Sequence, residues 1–398
     1  MVLLFGMVGC SDRSEQQKSH EPQQKATASL KPNQRPDWMA APDQIPPHVA
    51  PPVQEPDRAL LVGVVGPQTG EEASYGLQTL AGVEQAVREV NAQGGIFGQP
   101  LAVMHVDDGG SHTTAERAIR ELLKQRVIAI IAAPTGWSTF APVHLINESK
   151  TIFMAVGTRR NIGRSGPYIF RFALPEETAI DGLLRHVTNV MMLKRFALVT
   201  SSSQDFSLTL SSQFKQSVGK LADSAITLEA DLYDAFSGQP DWPKIIKNLH
   251  EQSKEFQAVI FTGGVEEGAE MAKAMREVGM QHPIIGSEDF FVPSFLQAGG
   301  TAVEGTVLYS SHPPEKKGVT PERFAALAHD ACSLLAMAIQ KAGALQPSLV
   351  RKVLLSGEAF DGMTGRSGFT PQGEPIKQPF LYRVALEKNT PHFVPIVP

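Results

Sequence analysis

The sequence predicts an α/β protein of two doubly wound lobes with parallel sheets. Apolar runs of strand length alternate with amphipathic helical segments, the pattern of parallel strands covered by helices on both faces. The 398 residues exceed what one core fills, since single cores stop growing near roughly 250–300 residues. A hydrophobic content of 42% beside 19% charged residues is that of a globular chain able to bury such cores.

The chain opens on an apolar stretch, Met1 to Gly9, ending Met7-Val8-Gly9-Cys10. This resembles a bacterial lipobox, so residues 1–10 read as a signal peptide and Cys10 as a lipidation site. The stretch is short and no Lys or Arg precedes it, features that a start upstream of Met1 would explain. Residues 11–57 are polar and then proline-rich, from Pro32 to Pro56. They read as a disordered or extended spacer rather than a core.

The globular part starts at residue 58. Ala59–Val65 is apolar and of strand length. A glycine-containing loop follows, then a helix with Leu80, Val83, Val87 and Val90 on one face and Gly94-Gly95 at its end. The unit recurs: strands at 101–106, 127–132 and 152–156, helices at 114–124 and 140–149. Further strands are expected at 196–200, 258–262 and 283–286, with helices near 208–221, 242–252 and 266–278. Ligands of such sheets bind beyond the carboxyl ends of the strands. The loops to inspect are therefore 66–76, 133–139, 157–161, 201–206, 263–267 and 286–291.

A net charge of −5 without a dense Lys/Arg stripe gives no face for nucleic acid. No nucleophile elbow, phosphate loop, His-Glu-x-x-His or dinucleotide fingerprint occurs, and the histidines show no metal-ligand spacing, so neither an enzyme nor a metal or other cofactor is expected. Cys332, in Ala331-Cys332-Ser333-Leu334-Leu335, reads as a buried small hydrophobe.

Specific blocks carry a family resemblance. Val62-Gly63-Val64-Val65-Gly66-Pro67-Gln68-Thr69-Gly70, Tyr75-Gly76, Gly82 and Val90-Asn91-Ala92-Gln93-Gly94-Gly95-Ile96 resemble the opening of leucine/isoleucine/valine-binding proteins. Val106-Asp107-Asp108, Arg171-Phe172, Asp241-Trp242, Gly286-Ser287-Glu288 and Glu304-Gly305 extend the likeness. It implies the type I periplasmic binding protein fold: two lobes joined by three crossovers, 58–174 with 307–366 and 175–306 with 367–398, and a ligand in the cleft. It also implies a solute receptor that closes on an amino acid or related small molecule and delivers it to an ABC permease. The protein would be a monomer in the periplasm or at the cell surface, meeting the membrane through its lipid anchor alone. A sensor of the same fold without a transport role is the alternative.

The resemblance further implies that hydroxyls of the first lobe hold the ligand's carboxylate. Ser138 and Thr158 match best, with Thr135 or Thr139 as alternatives and Trp137 crowding the same loop. Glu288 matches the acid that meets an α-ammonium, with Asp289 as fallback. Tyr75 and Phe206 match aromatic pocket walls. Val265 stands where a Tyr is usual, and Arg159 could reach a second acidic group on the ligand.

Overall fold

A computed structural model describes residues 59–202, 205–233, 238–313 and 322–397. Cys10, the leader 1–10 and the spacer 11–57 lie outside the described residues.

The first lobe is built from β1 (Leu60–Gly66), α1 (Ala73–Ala92), β2 (Leu101–Asp107), α2 (His112–Lys124), β3 (Ala129–Ala132), α3 (Gly136–Phe140), α4 (Val143–Ser149), β4 (Ile152–Val156) and β5 (Ile169–Phe172). Its five strands run parallel in the order β2-β1-β3-β4-β5. Every residue of β3, β4 and β5 is buried, as an apolar run covered on both faces requires. Each large side chain so placed contributes roughly 1.5–3 kcal/mol. The helix expected at 140–149 is in fact two, α3 and α4. Pro142 stands at the break, where its missing N–H and its ring do not suit a helix interior.

The second lobe begins with α5 (Glu176–Asn189), β6 (Arg195–Thr200), α6 (Asp205–Gly219), β7 (Ala225–Asp231), α7 (Trp242–Glu251), β8 (Ala258–Phe261), α8 (Val265–Glu277), β9 (Ile284–Gly286), α9 (Pro293–Gly299) and β10 (Val307–Ser310). The chain then returns to the first lobe with α10 (Arg323–Ala342), α11 (Pro347–Leu354) and a small antiparallel sheet of β11 (Phe360–Gly362), β12 (Gly365–Phe369) and β13 (Pro375–Ile376). It ends in the hairpin β14 (Phe380–Glu387) and β15 (Thr390–Ile396). The second sheet has the order β15-β14-β10-β9-β8-β6-β7. Strands β6 to β10 are parallel, and β14 joins β10 antiparallel.

Residue 307 was expected to start the return to the first lobe. Strand β10 instead pairs with β9 and β14 in the second sheet, so the return comes at α10. Likewise β13, beyond the expected boundary at 366, stays with the small sheet, and Glu374 just before it bonds Arg171 of β5.

The quoted blocks have local physical reasons. A Cβ on Gly82 of α1 would sit 2.0 Å from the carbonyl oxygen of Ala325, so glycine lets α1 and α10 touch backbone to backbone. Asn91 closes a two-way bond with Leu101: its amide donates to the Leu101 carbonyl at 2.9 Å, and the Leu101 N–H donates to its side-chain oxygen at 2.7 Å. Gly94 and Gly95 take positive φ, turning the chain so that Ile96 is fully buried. Asp107 accepts from Gln68 N–H, Thr69 Oγ1 and Gly109 N–H, tying the first loop to β2. Cys332 lies inside the first core, where burial pushes its thiol up to about 12.

Candidate functional site

The carboxyl ends of both parallel sheets face a cleft, and two cavities occupy it. The smaller, about 20 Å³ and room for a single water molecule, is lined by Thr158, Arg159, Glu176, Glu288, Tyr309 and Arg323 among others. The larger, about 950 Å³, is lined by Tyr75, Gln78, Arg323 and Phe324 from the first lobe and by residues such as Glu288, Asp289 and Phe291 from the second.

Charged side chains bridge the cleft. The Arg159 guanidinium, from the loop after β4, contacts Glu176 at 2.9 Å and donates to Asp289 of the second lobe. Arg323, at the start of α10, donates to the other Asp289 oxygen at 3.2 Å and lies 3.8 Å from Glu288. Burial alone would raise the Asp289 carboxyl, but Arg159 and Arg323 hold it well below the usual range. Burial pushes Glu176 the other way, upward, despite the attraction of Arg159. Arg159 also lies over the Phe206 ring, 4.8 Å from its centroid, a cation–π contact across the cleft.

A buried scaffold fixes this arginine. Arg171 of β5 is 3% exposed. It donates to Glu374 at 2.6 Å and to the carbonyls of Thr158 and Arg159 at 3.3 and 3.2 Å. Gly157 takes φ +69°, and a Cβ there would strike the Phe324 ring at 2.6 Å. The loop thus presents Thr158 and Arg159 with little freedom.

The expected site residues divide. Thr158 and Glu288 line the smaller cavity, and Tyr75 and Glu288 the larger. Phe206 supports Arg159 from the second lobe. Glu288 already has partners: its Oε1 accepts from the Ser311 N–H at 2.6 Å and from the Ser311 hydroxyl. Ser138 is fully buried, giving its hydroxyl to Asp108 and bonding Thr135 at 2.6 Å, so it lines neither cavity. Trp137 also lines neither; it is 45% exposed and meets His112 edge-on. Arg159 was read as reaching for a ligand's acidic group, and here it reaches the protein's own acids. Val265 lines the larger cavity.

Sequence reasoning missed Arg323, Phe324, Phe291, His312, Tyr382 and Phe393, all on the larger cavity. Phe291, only three positions from Glu288, was within reach of the loop argument. The others lie just after β10, on α10 and on the terminal hairpin, whose approach to the cleft no local pattern announces.

Two parallel-stranded sheets of this topology with a cleft between them define a two-lobed α/β protein. The family model described as periplasmic binding protein matches residues 60–390, and the chain belongs to that family. It is similar to Leu/Ile/Val-binding protein homolog 3 of Brucella melitensis, 22% identical over 334 residues, 79% of this chain and 88% of the relative. Among solved structures, a putative branched-chain amino acid ABC transporter from Rhodospirillum rubrum superposes with a TM-score of 0.72 at 20% identity, covering 85% of this chain and all of that one. An ABC-transporter solute-binding protein from Rhodopseudomonas palustris, in complex with 3,4-dihydroxybenzoic acid, gives 0.68 at 17% identity, covering 85% and 96%. The fold is that of type I periplasmic binding proteins, and the family's shared role is solute binding.

Proposed function

We propose that this protein is the solute receptor of an ABC importer. It works as a monomer held at the outer side of a bacterial membrane through Cys10, closes its lobes around a small organic solute, and hands the closed form to a permease. The observation that supports this reading is the cavity of about 950 Å³ walled by both lobes, a size within the roughly 300–1,000 Å³ usual for small-molecule sites. Contacts made by both lobes at once exist together only in the closed form, so a ligand bound there favours closure. The names of the relatives point to amino acids, and one structural neighbour holds an aromatic acid.

The test is a thermal-shift screen of the full chain, unfolded and refolded to strip carried-over ligand. Its panel spans amino acids, amides, aromatic alcohols and small carboxylates. A true ligand at 100 times its Kd adds about 2.7 kcal/mol of stability. Deleting the gene should then abolish uptake of that same solute by the native cells. A panel without one stabilising solute, or uptake that persists, overturns the reading.

A further inference from the structure

The wall of the large cavity carries more acid than base. Glu288, Asp289 and Glu322 line it, with Arg323 as the one guanidinium among the described lining residues. Arg159 stands behind Asp289 and divides itself between that carboxylate and Glu176. Asp289 is thus held by two guanidiniums, while Glu288 accepts from the Ser311 N–H and lies 3.8 Å from Arg323. Glu322 is exposed and has no ion pair among the described residues. Burial lowers the proton affinity of His312, so its imidazole adds no compensating charge near neutral pH. An unmatched negative charge is left on the wall at Glu322.

Around that charge the wall is aromatic, with rings from both lobes. In the first lobe Tyr75 meets Phe324 edge-on at 5.1 Å. In the second, Phe291 sits 4.4 Å from Tyr382 and 4.7 Å from Phe393. Tyr75 is 38% exposed, and Phe291 and Phe393 are half-buried, so these rings keep accessible surface. The wall's own cation already rests on a ring, since Arg323 lies over Phe324, 4.4 Å from its centroid. The negative face of a ring attracts a cation, the more so where water is excluded. An anion gains nothing from such faces and meets an excess of carboxylates.

We infer that the cavity takes an organic cation with a ring-sized apolar body, an arylalkyl amine or quaternary ammonium, its charged head toward Glu322 and its body against the rings. This rests on the solute-receptor reading and narrows its solute class. The body gains buried area and edge-to-face contact. The head gains the ring faces and the one carboxylate that folding leaves without a counter-charge.

The experiment is titration calorimetry on the stripped full chain at pH 8, where imidazoles are neutral. The probes are phenethylamine and benzyltrimethylammonium, set against 2-phenylethanol, phenylacetate, L-phenylalanine and L-leucine. The two cations should bind at least about tenfold more tightly than the neutral, anionic and zwitterionic probes. Glu322→Gln, checked for folding by its melting temperature, should weaken the cations about threefold or more and leave 2-phenylethanol unchanged. If that variant does not fold, the same comparison at low and high salt decides, because salt screens a charged contact and not an apolar one. Binding of the amino acids or phenylacetate without the cations overturns the class and leaves the receptor reading standing. Equal binding of 2-phenylethanol and the cations overturns the selection by charge. Unchanged cation affinity in the folded variant overturns the role of Glu322. Silence from every probe overturns the proposal, and the wider panel above then decides the receptor reading.

Discussion

Lys377 sits where the chain leaves β13, 3% exposed, with its ammonium 4.5 Å from the centre of the Phe172 ring and bonded to Thr364. Burial pushes it down to about 8, against the pull of the buried Asp330 carboxylate. The sign of the consequence follows from proton counts. Between pH 8 and the ordinary lysine value of 10.5, the unfolded chain keeps the proton and the folded one has lost it. Stability therefore rises with pH across that window, by up to about 3 kcal/mol from this group. Denaturant titrations from pH 7.5 to 10.5 should show the rise, and Lys377→Met should flatten it; an unchanged slope refutes the assignment. None of this was visible in the sequence, because Asp330 and Thr364 are remote in the chain and only folding brings them together. The same holds for Arg159, whose partner Asp289 is 130 residues away. Glu288, by contrast, was placed at the cleft from its Gly-Ser-Glu setting, since a loop after a parallel strand must end there.

At the scale of the element, legibility followed periodicity. Strands β1 to β4 and helix α1 declare themselves through apolar runs and a one-sided stripe. Strand β7 lies at the sheet edge with alternately exposed residues, Ala225 to Asp231, a period-two pattern weaker than the buried runs. The small sheet β11–β13 has strands of two to five residues, too short to carry a pattern at all. Within α1, the contact at Gly82 yields a sharp expectation. Gly82→Ala must move backbone rather than a flexible side chain, because the obstacle is the Ala325 carbonyl. Overpacking of this kind costs roughly 1–3 kcal/mol or more. Alanine at the exposed Leu77 of the same helix should cost far less, despite losing more side chain. Chemical denaturation of the two variants checks the order, and an equal loss would mean that α1 and α10 can part without strain.

For the whole molecule, the bridging arginines make closure an electrostatic matter as well as a ligand-driven one. With Arg159 and Arg323 both on Asp289, the ligand-free lobes carry their own attraction. Removing one member of a buried ion pair costs roughly 3–5 kcal/mol. Asp289→Asn should therefore lower the closed-to-open ratio by about a hundredfold or more, with little change in the unfolding transition of either lobe. Distance measurements between spin labels on α2 and α7 would read the opening. A distance distribution unchanged from the parent protein would show that these pairs do not hold the lobes together.

The backbone contact between α1 and α10 also bears on how the chain comes to be folded. Glu89 of α1 meets His329 of α10 at 2.8 Å although 240 residues separate them. The side of α1 that meets α10 therefore has no cover until most of the polypeptide has emerged, and the second lobe must wait for its last hairpin. Assembly with so many distant pairings is slow, because loop closure precedes the contacts that reward it. A nascent chain of this order completes neither lobe until late in its synthesis. Such a chain can pass through a narrow export channel as an extended thread and fold on the far side.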